Sequence, residues 1–570
     1  MKEKIVFRLN QVRKYYEFIG KRVTILLLIA CLCGFFLFGV ESSFVLVMQG
    51  FLLSIKIAEE QVLMLPSWYP RSIGWSVVLL GTFGLFRAVG LFLKMFIGST
   101  ISYSFVRLQR QRIMDYTLSN GHEISTDETI NIFTDGVDRA ASALTGIQTF
   151  LQAFVAAASF FIFGLKLAPK EMIVGIVLFS LVVMPLKYFH GWINSAAYGL
   201  GIEWKSIVNI LLSGIKNFFY HKVYGLIENE KKRSFLNLRT FFYHYTKFNA
   251  SVAAQYALPG FIGVMVLSFI TYVGVDKFHT PGATLMAFFY VFIRMVQASS
   301  DMLSSLGIIK LSIPRVKDLY HWKLIIDKKK MEEEEKEKNR IRIDRKIFEE
   351  KLNQDFNLNI KNLYFRYDET KPYLFQDLNI NLGSSDCFVI KGESGSGKST
   401  LLSLILGMYQ PIKGQITVND FEINSVREYL YEKIAYVGPD PYLIKGTLRE
   451  NLLYGNPNAS QINDHKIIEI LKLVQCESLL SSLDGRLNAV LNESAKLSTG
   501  QKQRLSMAKA LLREPKLLIM DESTANLDSK TEKEIIDNLK VILKSITSII
   551  VSHKDVFDYL ATKKLQLGNG

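Results

Sequence analysis

The chain has 570 residues, 49% of them hydrophobic, and a formal net charge of +15, with a pI near 9.3 and a mean hydropathy of +0.17. That length allows several structural units, and the apolar excess, concentrated in the first part, excludes an ordinary soluble single domain. Beside long apolar runs, the basic balance points to membrane-flanking charge rather than nucleic acid, and Cys31, Cys33, Cys387 and Cys476 have neither metal-site spacing nor the pattern of a disulfide framework.

Apolar stretches long enough to cross a bilayer fall at about Val23–Ile55, Ser72–Tyr103, Gly146–Ala168, Glu171–Ile193, Ala250–Val275 and Pro281–Gly307. The first is too long for a cleavable signal peptide and lacks a small-residue cleavage site. Short turns, Ala168–Lys170 and Asp276–Pro281, join two pairs of spans, while the other connections are long and basic. Arg13, Lys14, Lys21 and Arg22 precede the first span; Arg107, Arg110 and Arg112, then Lys231, Lys232, Arg233 and Arg239, follow. Six spans place all three basic regions on one side, and lysine and arginine near span ends favour the cytoplasm. Charges also lie inside the spans: Glu41, Arg87, Lys94, Lys187 and Arg294. Such groups are costly at mid-membrane and face protein or water. Two readings stand side by side: ion pairing, for instance of Glu41 with Arg87 or Arg294, and an electropositive lining that meets an anionic cargo through two-pronged arginine contacts.

The run DKKKMEEEEKEKNRIRIDRK, Asp327–Lys346, mixes both signs and reads as a solvated linker or exposed helix. The expected layout is a helical transmembrane domain over 1–322, a charged linker over 323–346 and an α/β domain of the P-loop NTPase type over 347–570.

In that last region, strand Cys387–Lys391 leads into GESGSGKST, Gly392–Thr400, and then into a helix from Leu401. This strand–loop–helix pattern is a phosphate loop. Backbone N–H groups of Gly392, Glu393, Ser394, Gly395, Ser396, Gly397 and Thr400 wrap phosphate, Lys398 supplies charge, and Ser399 can hold Mg²⁺. Downstream, the apolar strand Leu517–Met520 ends in Asp521, a candidate Mg²⁺ ligand, and Glu522, placed to polarise the attacking water. His553 follows the strand Ser548–Val551 and is expected at the γ-phosphate.

With KLSTGQKQRLSMAKALL, Lys496–Leu512, the chain resembles ATP-binding cassette (ABC) transporters. Their signature is usually LSGGQ; here Leu497–Gln501 reads LSTGQ. The resemblance implies that Ser498, Thr499, Gly500 and Gln501 act in trans, capping ATP held by a second cassette. It implies that Tyr367 stacks on adenine and that Asp528 belongs to a dimer-contact loop. In IAYVGPDPYLIKGTLRENL, Ile434–Leu452, Pro439 stands where the family has a metal-contacting glutamine; proline cannot serve, so either Asp440 substitutes or the contact is missing. The segment before the signature is short and lacks the usual glycines. Spans followed by a cassette look like a half-size exporter that works as a homodimer or with a related half, with ATP and Mg²⁺, driving alternating access. The loops Leu118–Leu144 and Glu203–Lys247 would carry its coupling helices. Arg87 and Arg294 are placed similarly to arginines of lipid-linked oligosaccharide flippases in the family, which suggests an anionic lipid or lipid-linked glycan as cargo. A drug or peptide exporter, and an ATP-gated regulator or channel, are the alternatives. A bacterial inner membrane, with N-terminus and cassette cytoplasmic, is the expected location.

Overall fold

The computed structural model describes residues 16–55, 72–120, 126–183, 187–338, 345–491 and 497–568. Arg13, Lys14, the end of the charged run at 339–344 and residues 492–496 before the signature lie outside them. The chain divides into two compact units, Met1–Glu332 and Glu333–Gly570, with the division inside the charged run.

The first unit is helical. Its main helices are α1 (Lys21–Ser54), α2 (Ile73–Asn120), α3 (Val137–Leu167), α4 (Pro169–Val183), α5 (Lys187–Lys216), α6 (Ile227–Asp276) and α7 (Gly282–Lys338). Among the described residues, four helical stretches are long and apolar enough to cross a membrane by length and composition: Lys21–Met48, Ile73–Ser119, Glu128–Leu167 and Ile227–Asp276. Of the other two expected spans, Glu171–Ile193 begins on α4, crosses residues 184–186, which lie outside the described residues, and ends on the start of α5, and Pro281–Gly307 falls on the first half of α7. Large apolar side chains point outward along α1 and α2, among them Leu32, Leu85, Phe92 and Met95, as a lipid-facing surface requires. The break between α3 and α4 follows from Pro169. The residue before a proline is driven out of helical geometry, and Ala168 has φ −148° and ψ 78°. Proline at the first helical position then starts α4 without losing a hydrogen bond. Phe160, Met172, Ile270, Phe288 and Phe292 form one buried cluster. Gly175 lets these helices approach: a Cβ there would lie 2.8 Å from Ile270 and 2.9 Å from Phe292, the close packing that small residues permit between apolar helices.

The second unit is α/β. Its strands are β1 (Leu358–Phe365), β2 (Phe375–Leu382), β3 (Cys387–Gly392), β4 (Lys413–Val418), β5 (Phe421–Glu422), β6 (Ile434–Val437), β7 (Gly446–Thr447), β8 (Val490–Leu491), β9 (Leu517–Asp521), β10 (Thr547–Val551) and β11 (Lys563–Leu567). An antiparallel sheet runs β2-β1-β4-β5 and a parallel one β11-β3-β10-β9-β6, with β7 and β8 paired apart. Every residue of β9 and β10 is buried, which fits their apolar runs Leu517–Met520 and Ile549–Val551 in a parallel sheet covered on both faces. The helices that matter below are α8 (Lys398–Ile405), α9 (Thr499–Leu511) and α10 (Ser529–Leu543).

Candidate functional site

Register brings the cassette residues together. Val551 pairs with Ile390 on one side and with Asp521 on the other. The loop after β3, the pair Asp521–Glu522 and His553 therefore emerge at one carboxyl edge of the sheet, where open parallel sheets bind ligands. Gly397 ends the phosphate loop with φ +96°, a left-handed backbone that glycine adopts without strain. A Cβ there would also press on Leu374 and Phe375 at 3.1 Å. Lys398 opens α8 and is 7% exposed. Its Nζ donates to Gly392 O and Glu393 O, both at 2.8 Å, folding the loop into a cradle. An ammonium has three donors, so one remains for phosphate. Ser396 Oγ is buried in the same loop without a hydrogen-bond partner, a donor suited to an oxyanion.

Tyr367 lies beside the loop, its hydroxyl 2.6 Å from Thr400 Oγ1. Its ring packs edge-on against Phe365 and Tyr409 and is otherwise exposed, so a face is open to a base. Asp521 and Ser399 line one cavity of about 480 Å³. Burial raises the Asp521 carboxyl above its usual range and Glu522 adds to that; the Tyr436 hydroxyl and Lys398 act against it. A carboxylate and a hydroxyl are hard oxygen ligands of the kind Mg²⁺ takes one or two of, beside phosphates and water, so the residues present fit that ion. Glu522 and His553 meet directly, Nε2 to Oε1 at 2.9 Å.

The residue that reaches Asp521 from β6 and the loop after it is neither Pro439 nor Asp440. Both are exposed, and neither lines the cavity that Ser399 and Asp521 share. Instead, Tyr436 Oη donates to Asp521 Oδ2 at 3.2 Å, and burial with the nearby carboxylate pushes its phenol up to about 12, so it stays a donor. Only the β6–β9 register reveals this contact.

The signature residues sit elsewhere in the unit. Ser498 is the N-cap of α9, with Gln501 N–H on Ser498 Oγ at 3.1 Å and Ser498 N–H on Gln501 Oε1 at 2.8 Å. S-T-G-Q is thus a capping box. It leaves an exposed helix start, and a Cβ at Gly500 would lie 3.3 Å from Asn526 O, beside the loop that leads to Asp528. Asp528 caps α10 by accepting from Thr531 N–H at 2.9 Å, which holds its carboxyl below the usual range.

In the helical unit, Glu41 of α1, Arg87 of α2 and Arg294 of α7 converge on a cavity of about 610 Å³, together with Lys94 and Asp301. Arg294 grips both oxygens of Glu41, Nε to Oε2 at 3.2 Å and Nη2 to Oε1. Arg87 Nε reaches Oε1 at 3.4 Å. Of the two readings open in the sequence, the geometry displays ion pairing, and the cavity wall carries both signs.

The ABC transporter family matches residues 375–525. The multidrug resistance-like ATP-binding protein MdlB of Buchnera aphidicola is 39% identical over 200 residues, 35% of this chain and 34% of that protein. A multidrug resistance ABC transporter ATP-binding and permease protein of Lactococcus lactis is 34% identical over 199 residues, 35% and 33% of the two chains. ABC transporter B family member 14 of Arabidopsis thaliana is 35% identical over 201 residues, 35% and 16%. The similarity thus spans about a third of the two bacterial relatives and 16% of the plant one. Ahead of the matched stretch lie apolar helices long enough to cross a membrane. Residues 375–525, the stretch that carries the Lys398 loop and the pair Asp521–Glu522, are thus similar to the ABC transporter family.

Proposed function

We propose that the chain is one half of an ATP-driven exporter, hydrolysing ATP at the cassette and moving an amphiphilic cargo through the helical unit by alternating access. The observation that carries this is the meeting of Glu522 and His553 at 2.9 Å on the sheet edge that also bears the Lys398 cradle. Tyr367 offers its ring to adenine, the loop amides and Lys398 hold the phosphates, Glu522 takes a proton from the attacking water, and His553 steadies Glu522 and the γ-phosphate. Ser399 and Asp521 would hold Mg²⁺, which when bound neutralises charge on the phosphates. Asp440 has no part in this reading. A second cassette, from a second copy or a related half, would bring Ser498, Thr499, Gly500 and Gln501 over the nucleotide and Asp528 to the contact. The cassette would lie on the cytoplasmic side, in a bacterial inner membrane.

For the cargo, the ion-paired cavity favours an amphiphile with mixed polarity over an anionic lipid or glycan held by unpaired arginines. The bacterial relatives bear multidrug names, which fits the same choice. Purified protein in lipid vesicles tests the whole: steady ATP turnover should vanish in Glu522→Gln and rise with amphiphilic drugs. Turnover unaffected by Glu522→Gln rejects the site. Mass spectrometry of molecules retained by the Glu522→Gln protein then names the cargo.

A further inference from the structure

The turn after Glu522 is fastened by more groups than hydrolysis itself uses. Glu522 has φ +46°, a left-handed backbone that a non-glycine residue keeps only where its surroundings over-determine it. Its N–H donates to Val551 O at 3.0 Å, and Ala525 N–H closes the turn on Glu522 O at 3.1 Å. On the facing loop, the buried Ser552 Oγ accepts from Lys554 N–H at 3.0 Å, so His553 sits on the crest of a turn closed by a side chain. Lys554 then reaches back. Its Nζ donates to Thr524 O at 3.3 Å and to Glu532 Oε2 at 2.9 Å. Thr524 and Glu532 are each 3% exposed. Glu532 stands in the first turn of α10, the helix that Asp528 caps.

We propose that Lys554 is a positioning residue for ATP hydrolysis, its ammonium tying the Glu522 turn, the His553 turn and the start of α10 into one rigid piece. The inference rests on the reading of Glu522 and His553 as the hydrolytic pair. Glu532 Oε1 is buried without a hydrogen-bond partner, so the carboxylate depends on Lys554. Taking away one member of such a pair strands a buried charge, and the surroundings move to relieve it. What moves is the Thr524 turn, two residues beyond Glu522, or the first turn of α10. Either displaces Glu522 from His553, and small misplacements of reacting groups lower rates steeply. The Lys398 cradle and Tyr367, which hold the nucleotide, lie outside this network. Loss of Lys554 therefore slows turnover without weakening ATP binding.

The test uses the full chain in lipid vesicles. Lys554→Met should lower kcat on the order of tenfold or more, leave KM for ATP within about twofold, and leave ATP displacement of a trinitrophenyl-ATP probe unchanged. Lys554→Arg, which keeps the charge, should recover most of the rate. Glu532→Gln, which removes the anchor and keeps the shape, should reproduce the slow phenotype. Wild-type kcat in Lys554→Met or in Glu532→Gln overturns the proposal. So does Lys554→Arg as slow as Lys554→Met, or a loss of probe binding in step with kcat. If Glu522→Gln leaves wild-type turnover intact, the site reading itself fails; if it abolishes turnover while Lys554→Met does not, only this inference fails.

Discussion

Replacing Glu41 by glutamine tests the ion-paired cavity. The Glu41 side chain is 7% exposed and Arg294 21%, whereas Arg87 is 43% exposed. Breaking a buried pair costs roughly 3–5 kcal/mol because the partner is left uncompensated. The partial exposure of Arg294 to the cavity puts Glu41→Gln and Arg294→Met at the lower end, about 3 kcal/mol each. Arg87 touches one oxygen and stands well into the cavity, so Arg87→Met should cost under ~1 kcal/mol. The double variant Glu41→Gln/Arg294→Met removes both charges and should cost clearly less than the sum, with a coupling of about 2 kcal/mol. Unfolding titrations from mixed micelles, followed by tryptophan fluorescence, compare the four variants with the wild type. Additivity within about 0.5 kcal/mol refutes the pairing, as does an Arg87→Met cost above that of Arg294→Met.

Tyr436→Phe removes the hydroxyl on Asp521 and should raise the Mg²⁺ concentration for half-maximal ATP hydrolysis roughly tenfold, the worth of one hydrogen bond to a charged group. That hydroxyl favours the ionised carboxylate, so its loss lifts the Asp521 pKa further, and activity should disappear at a less acidic pH than in the wild type. Burial pushes the Cys476 thiol from 9.0 to about 11. At pH 8 its thiolate fraction should be about a hundredfold below that of an ordinary thiol, and iodoacetamide should label it only after denaturation. Because the unfolded thiol ionises first, this group also withdraws stability as pH rises from 9 towards 11. Gly397→Ala forces a Cβ into a left-handed position and should cost about 1–2 kcal/mol, seen as a lower melting temperature without nucleotide, together with weaker ATP binding.

What could be read in the sequence was whatever the chain encodes locally. The phosphate loop, Asp521–Glu522 and the signature Leu497–Gln501 each need particular residues at fixed short spacing, so their chemistry is visible without a fold. Apolar runs marked bilayer windows but not helix lengths. Ser72–Tyr103 gave the window of α2, yet the helix continues to Asn120 through Arg107–Asp115, because polar residues leave the membrane without leaving the helix. Tyr436 and Lys554 escaped notice because their partners, Asp521 and Glu532, are chosen by strand register and loop geometry. Glu41 could be suspected of pairing, but its partners lie 46 and 253 residues away, a choice only helix packing can make.

The start of α9 explains why a threonine can stand in the signature where a glycine is usual. Thr499 occupies the first helical position behind Ser498, which has φ −66° and ψ 158°, so nothing there asks for glycine's wider range of angles. By helix geometry the amides of Thr499 and Gly500 have no partner within α9, and the interlock of Ser498 with Gln501 holds them aimed outward. In the proposed pairing of two cassettes, an anion brought by the neighbouring molecule would meet donors already set by the capping box, with no further ordering of this segment.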